Sequence, residues 1–304
     1  MAAPPPVVVV ANPTAGGGKA GKLIGKADAI LRELRVEHTI LVTRSAAEME
    51  ATAKEAADEG APVVAVLGGD GTVSCAANGL LGSGAALAVL PAGTGDDFAR
   101  SIGASRFDAA VRLLANPKVR PVDVVKITAG ATVRHFVNVA GAGFDSEVSE
   151  TANAMSVRLG GTGTYVVALV KTLSRFSPAR YRISVDDEEF EGDAMLAVVG
   201  NGVSYGGGMK VTPGAILDDG QMDVCVVEAV SKAAFLRAFP RVFAGTHTTH
   251  PKVKMFRGTH IAMEANRELL LYADGERVGP LPAEFEVLAG VLPVVTGPDA
   301  KGLR

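Results

Sequence analysis

Residues 63–67 form an unbroken apolar run that stops at Gly68-Gly69-Asp70-Gly71-Thr72 and gives way to helical spacing over 73–81. Parallel strands cannot be joined by a tight turn; they need a crossover, and a helix supplies it. A strand apolar on both faces, closed by glycines and followed at once by a helix, is therefore the unit of a covered parallel sheet. The first half repeats this rhythm. Runs at 7–10, 38–42, 62–67 and 86–90 alternate with helical patterns at 22–34, 46–59, 73–81 and 97–102. We expect a doubly wound parallel α/β domain over residues 1–123.

After Asp123 the pattern changes to short β-like runs at 124–127, 133–139, 181–185, 195–200, 222–227, 260–265 and 269–272. Frequent strands with few helices point to an antiparallel β-sandwich or barrel domain over 124–289, with residues 290–304 packing back on the first domain. Two stretches, 165–173 and 231–242, read as helices. Pro121-Val122-Asp123 is the expected hinge. Low complexity is confined to the Pro-rich start and to Gly160-Gly161-Thr162-Gly163.

Composition narrows the function classes. Thirty Lys and Arg against 33 Asp and Glu give a net charge of −3, so no global basic field draws in nucleic acid. Two cysteines, Cys75 and Cys225, exclude a disulfide framework and a cysteine-cluster metal site, and favour a reduced, cytoplasmic setting. The mean hydropathy of +0.25 raises the question of a membrane. No stretch approaches the roughly 18 uninterrupted apolar residues of a spanning helix, and residues 1–6 lack the features of a signal peptide.

The glycine turns carry the chemistry. In a parallel sheet, ligands bind beyond the carboxyl ends of the strands, where Gly68-Gly69-Asp70-Gly71-Thr72 lies. Glycines let backbone N–H groups approach an anion, and the following helix N-terminus adds partial positive charge. Asp70 fits such a site when a cation or hydroxyl lies between it and the phosphate. The run at 86–90 leads into a second turn of the same kind, Pro91-Ala92-Gly93-Thr94-Gly95-Asp96-Asp97. There Thr94 offers a hydroxyl, and Asp97 is placed to cap the next helix. Two such turns at neighbouring strand ends suggest a shared nucleotide site. A third cluster, Gly16 to Lys22, nearly matches a P-loop, but Leu23 stands where that motif needs a hydroxyl. It also lacks a well-placed acid for the dinucleotide fingerprint, so it reads as a loose phosphate-facing loop.

These motifs resemble the bacterial diacylglycerol kinase catalytic-domain lipid kinases, relatives of sphingosine and ceramide kinases. The likeness runs from Asn12-Pro13 and its Gly loop through the turn at Gly68, Gly93 to Arg100, Gly143-Phe144-Asp145, Asn201-Gly202 and Gly206-Gly207-Gly208-Met209-Lys210 to Asp218-Asp219-Gly220-Gln221-Met222-Asp223 and Asp274-Gly275-Glu276. It implies an α/β nucleotide-binding domain, a β-sandwich lipid-substrate domain and an active site in the cleft between them. It also implies transfer of the γ-phosphate of ATP to a lipid hydroxyl, with diacylglycerol giving phosphatidic acid. ATP would be held by Asn12, Thr43, Gly68, Gly69, Asp70, Gly71, Thr72, Gly93 and Thr94. Asp274 with Glu276 corresponds to the general-base segment. A structural Mg2+ would take Asp219 and the carbonyls of Ile216 and Gln221, while Asp70, Asp97 and Asp219 link the catalytic Mg2+ to the second domain.

The residues support that chemistry independently, since phosphoryl transfer needs positioned phosphates, a cation and a group to orient the hydroxyl. Taken as turns alone, Asp274-Gly275 is a hairpin with solvated acids and Asp218-Asp219-Gly220 a plain bend. The chain departs from the family at Asp96, where Asn is usual, and at Ser74 and Cys75, which replace an Asn-Glu pair. Cys75 and Cys225 read as packing residues, and His247 with His250 lacks a third metal ligand. Between Glu150 and Asp186, and between Glu228 and Glu264, there is no acid. Basic residues there, Arg158 and Lys171 among them in the first window and Lys232, Arg237 and Arg241 in the second, mix with phenylalanines such as Phe235, Phe239, Phe243 and Phe256. Such a mixture suits peripheral contact with an anionic membrane, here from the cytoplasmic, inner face, or an ordinary solvated surface over a core. A homodimer is compatible with this sequence. Two other functions remain open: a soluble NAD kinase-like enzyme, which shares the Gly-Gly-Asp-Gly-Thr turn, and a nucleotide- or lipid-binding regulator without turnover.

Overall fold

The computed structural model describes residues 7–154 and 161–304; residues 1–6, Arg158 and Gly160, on which parts of the reading above fall, lie outside them. The chain forms two compact units, one of Met1–Val124, Ile216–Gly220 and Leu288–Arg304, the other of Val125–Ala215 and Gln221–Val287. The chain passes from one unit to the other four times.

The first unit alternates strand and helix: β1 (Val7–Ala11), α1 (Ala15–Glu33), β2 (His38–Val42), α2 (Ala46–Asp58), β3 (Val63–Gly68), α3 (Asp70–Leu80), β4 (Ala86–Pro91), α4 (Asp97–Ser101) and α5 (Phe107–Leu113). Strands β2-β1-β3-β4 lie side by side and parallel, with Val8 opposite both Thr39 and Val64. Every residue of β3 and β4 is buried, because helices cover both faces. Helix α2 starts where Ser45 accepts a bond from the Glu48 N–H at 3.1 Å. The sheet is doubly wound as expected. Helix α5 was not legible in the apolar spacing.

The second unit begins within β5 (Val119–Ala129) and continues through β6 (Thr132–Phe136), β7 (Val139–Gly143), α6 (Phe144–Ala154), α7 (Gly161–Arg175), β8 (Ala179–Val185), β9 (Glu188–Gly200), β10 (Met222–Glu228), α8 (Lys232–Ala238), α9 (Arg241–Ala244), β11 (Val253–Gly258), β12 (His260–Ala265), β13 (Leu270–Ala273), β14 (Glu276–Pro280) and β15 (Ala283–Val295). Within the unit the strand order is β14-β13-β7-β9-β8-β12-β15, all neighbours antiparallel, with β10 between β9 and β11.

Strand β9 is buried from Ala194 to Gly200, and its alternation explains the layers. Ala197 and Val199 point into the sandwich core beside Phe136, Ile183 and Phe285. Leu196 and Val198 point to the other face, where α6, α7 and α8 cover them with Phe144, Leu169, Leu173 and Phe235. The antiparallel sandwich is therefore present, with helices on one outer face. One detail differs from expectation: the run 133–139 belongs to two strands, β6 and β7, broken at Val137-Asn138.

Candidate active site

In the first unit the strand order reverses at β1, which has β2 on one side and β3 on the other. The carboxyl ends of β1 and β3 therefore diverge into a crevice. Hydrogen bonds continue past the strands: the Asn12 N–H donates to Leu67 O at 3.2 Å, Thr43 N–H to Ala11 O at 2.9 Å, and Ala92 N–H to Gly68 O at 2.9 Å. The three turns that follow β1, β3 and β4 are thus held together at one sheet edge. Asn12 Oδ1 accepts from the Thr14 N–H and hydroxyl, which opens the first turn. Gly16, Gly17 and Gly18 then all adopt positive φ, at 60°, 68° and 89°. Successive left-handed residues turn their N–H groups to one side; the Gly18 N–H donates to Thr14 O at 3.1 Å and closes the turn.

The Gly68 and Gly93 turns pack backbone to backbone. A Cβ on Gly69 would lie 3.0 Å from Gly93 Cα. Asp70 Oδ1 accepts the Phe98 N–H at 3.1 Å and so ties the second turn to the start of α4. Asp97 is not the cap that its position after the Gly93 turn suggests. Helix α4 instead starts at Asp97, whose buried carboxylate pairs with Arg100, and Asp70 takes the orphan N–H. Asp96 stands at φ 53° and accepts the Gly93 N–H at 2.8 Å; burial raises its carboxyl above the usual range. Thr94 is exposed, whereas Thr43 is buried and its hydroxyl donates to Ala11 O at 3.3 Å. Ser74 and Cys75 are both buried in α3.

The same unit contains an acidic knot. Both Asp123 oxygens accept main-chain N–H groups, from Gly220 at 2.7 Å and Gly290 at 2.8 Å. Asp218 bonds Arg120 Nη2 at 2.6 Å and the Arg304 N–H at 2.8 Å. The Asp219 side chain is fully buried, with Arg304 Nη2 at 3.6 Å from its carboxylate. Burial, reinforced by the Asp218 charge, raises the Asp123 carboxyl above its ordinary value.

In the second unit Asp274 and Gly275 form the two-residue loop of the β13–β14 hairpin, both at positive φ (49° and 87°), the geometry that favours Asp-Gly. The hairpin expectation holds, but Asp274 is not a solvated acid. Its carboxylate accepts the N–H groups of Val137, Asn138 and Val139 at 2.9, 3.1 and 3.0 Å, across the break between β6 and β7. Glu276 is exposed at the start of β14.

The unit also has a half-open apolar cavity of about 90 Å³, several times the ~10–15 Å³ one water needs. Phe144, Leu196, Met209, Phe235 and Phe239 are among its walls. Asp145, His247 and His250 also reach it. Asp145 lies at the start of α6. Its Oδ1 has no hydrogen-bond partner among the described residues, and burial pushes its carboxyl up to about 6. His247 Nε2 lies 3.1 Å from Val211 O, and burial holds its imidazole below the ordinary value. The two histidines serve this wall; among the described residues no cluster of three His, Cys, Asp or Glu groups could hold a metal.

Of the residues singled out from sequence, the first unit gathers Asn12, Thr43, Gly68 to Thr72, Gly93, Thr94 and Asp97 at one sheet edge, and also holds Ile216 and Asp219. Gln221, Asp274 and Glu276 belong to the second unit. Sequence reasoning gave Asp145 no role of its own. Its signal was an acid directly after a buried Gly-rich run, residues 139–144. Asn138, which donates to Ser204 O at 2.8 Å and whose carbonyl accepts from Asn201 and Gly202, was missed because it falls in a strand break.

Three glycine turns at a parallel switch point in one unit and an antiparallel sandwich in the other define a two-unit class of α/β plus β-sandwich proteins. Comparison with known proteins narrows this. Residues 6–127 match the diacylglycerol kinase catalytic domain, and residues 138–296 match the YegS C-terminal NAD kinase beta sandwich-like domain. A diacylglycerol kinase of Mycobacterium tuberculosis is 34% identical over 293 residues, 95% of this chain and 94% of that protein. One from Bacillus subtilis is 28% identical and covers 91% of both chains. The crystal structure of a diacylglycerol kinase from Bacillus anthracis superposes with a TM-score of 0.74 at 25% identity, covering 97% of this chain and 98% of that one. The chain belongs to the diacylglycerol kinase catalytic-domain family, a family of lipid kinases.

Proposed function

We propose that the protein transfers the γ-phosphate of ATP to a lipid hydroxyl, with diacylglycerol as the acceptor and phosphatidic acid as the product. The observation that carries this reading is the cradle at the ends of β1, β3 and β4, where three glycine turns present backbone rather than side chain. Such a surface accepts phosphate oxygens on N–H groups, and Lys19 and Arg100 near Asp96 add positive charge. Phosphoryl transfer asks little more of a protein than this positioning. The names of the relatives supply the acceptor, and the apolar cavity of the second unit is chemistry a lipid chain fits.

Asp274 is assigned to the acceptor hydroxyl, whose proton a fixed carboxylate can accept as the bond forms, with Glu276 beside it. Three N–H bonds lock the Asp274 rotamer, which favours orientation. For the divalent cation that the family implies, the donor chemistry fits at Asp219. A fully buried carboxylate, with the exposed Arg304 guanidinium 3.6 Å away, is a hard oxygen donor suited to such a cation. Asp219, with the main-chain carbonyls of Ile216 and Gln221, would hold Mg2+ there, and Asp70 and Asp97 stand at the phosphate turns. A structural Mg2+ bound there would neutralise the buried acid, and a catalytic Mg2+, linked by Asp70, Asp97 and Asp219, would neutralise the phosphates.

Incubating the purified protein with labelled ATP, Mg2+ and a panel of lipids in mixed micelles tests the reading. Labelled phosphatidic acid is the expected product. Labelled NADP from an NAD control, with no lipid product, would replace it with a soluble NAD kinase. ATP binding without any phosphorylated lipid would leave a regulator.

A further inference from the structure

Helices α8 and α9 carry two faces. Phe235, Ala238, Phe239 and Val242 line the apolar cavity, at the i, i+3, i+4, i+7 spacing of a single helical stripe. Pro240, between the helices, keeps helical angles of −58° and −22°, so the stripe continues from one into the other. Leu236 and Phe243, seven residues apart, are absent from the cavity wall and are 44% and 50% exposed. Phe243 meets Phe239 edge to face, with ring centroids 6.1 Å apart, yet half of it stays exposed, and Leu236 beside it is nearly as open.

The charges around them favour one occupant. Lys232, Arg237 and Arg241 sit on these helices, and no acid occurs between Glu228 and Glu264. Glu228 is engaged by Lys252 and Lys254. Among the described residues Lys232 donates to Ser174 O, and Arg241 to Thr246 O and the Thr249 hydroxyl. None of the three cations has a carboxylate partner among the described residues. Exposed apolar groups beside unneutralised cations complement an anionic bilayer, which offers hydrocarbon beneath a layer of phosphates.

We infer that α8–α9 is the element through which the second unit docks on an anionic membrane. Leu236 and Phe243 enter the headgroup–acyl boundary, Lys232, Arg237 and Arg241 meet lipid phosphates, and the inner stripe receives a hydrocarbon chain into the cavity. The inference rests on the lipid-kinase reading for what the cavity receives; the docking itself does not depend on turnover.

Sedimentation with phosphatidylcholine vesicles, with and without phosphatidylglycerol, tests it. The wild-type protein should co-sediment with the anionic vesicles only. Leu236→Ser with Phe243→Ser, and separately Arg237→Glu, should each weaken this binding roughly tenfold, while their melting temperatures and their activity on a short-chain acceptor kept below its micellar concentration stay unchanged. Variants that sediment like wild type overturn the proposal. So does a wild-type dimer that the substitutions convert to monomer in light scattering, because the patch is then an interface between copies. Phosphorylation of micellar lipid without any vesicle binding sinks the docking element and leaves the kinase reading intact. Vesicle binding lost in the variants, with no product from any lipid, does the reverse.

Discussion

Asp145 shows what one misplaced-looking residue costs and what it reports. An acid with an ordinary value of 3.8 sits buried beside an apolar cavity, and burial pushes it up to about 6. The folded state therefore holds its proton more tightly than the unfolded chain does. Its contribution to stability is complete below pH 3.8, declines as pH rises toward 6, and is gone above; the difference is about 3 kcal/mol. Asp145→Asn should accordingly raise the melting temperature at pH 7.5 and flatten the decline between pH 4 and 6. An unchanged pH profile would show that the carboxyl is not buried as described. Asp274 is the opposite case, an acid whose surroundings are built for it. Asp274→Asn keeps one oxygen for the Asn138 and Val139 N–H groups but sets an NH2 against the Val137 N–H, and should cost about 1–3 kcal/mol in denaturant unfolding, apart from any loss of turnover. The Gly turn around Asp274 was legible in sequence. Its partners were not, because they lie 135 to 137 residues earlier in the chain.

Among the elements, legibility followed the range of the forces. Strands β1 to β4 and helices α2 and α3 could be read to within a few residues, since each is written in local apolar spacing and glycine punctuation. The break that separates β6 from β7 could not, because Val137 and Asn138 look like strand and are turned by Asp274. Likewise α5 has too short a stripe to announce itself. The Gly16-Gly17-Gly18 turn was legible as a loose loop, and the structure separates its members. A Cβ on Gly16 would fall 2.0 Å from Ala92 O, whereas Gly17 and Gly18 face open space. Gly17→Ala should cost only the left-handed strain, about 1 kcal/mol. Gly16→Ala adds a collision that forces the first turn away from the Ala92 turn, so it should lose far more ATP affinity in equilibrium dialysis than Gly17→Ala. Equal affinities in the two variants would remove this loop from the phosphate site.

At the scale of the molecule, the first unit is not a continuous stretch of sequence. Residues 1–123, with 290–304 packing back on them, read as the α/β domain; the unit comprises Met1–Val124, Ile216–Gly220 and Leu288–Arg304, and Ile216–Gly220 had no signal in the sequence. The reason is local and electrostatic. Asp123, at the end of the α/β pattern, needs the N–H groups of Gly220 and Gly290 to satisfy a buried carboxylate. The Leu217 N–H donates to Gly302 O, Gly302 N–H to Ser101 O, and β15 runs parallel to β4 at Val294 and Leu87. A fragment ending at residue 124 would expose the β4 edge, strand the Asp123 carboxylate and leave Arg120 without Asp218. An edge strand of such buried character invites association rather than folding. We therefore expect residues 1–124 expressed alone to give no cooperative thermal transition by circular dichroism, while the full chain melts cooperatively. A cooperative melt of the fragment would mean that the returning segments are ornament, and that the acidic knot contributes nothing to holding the cradle in shape.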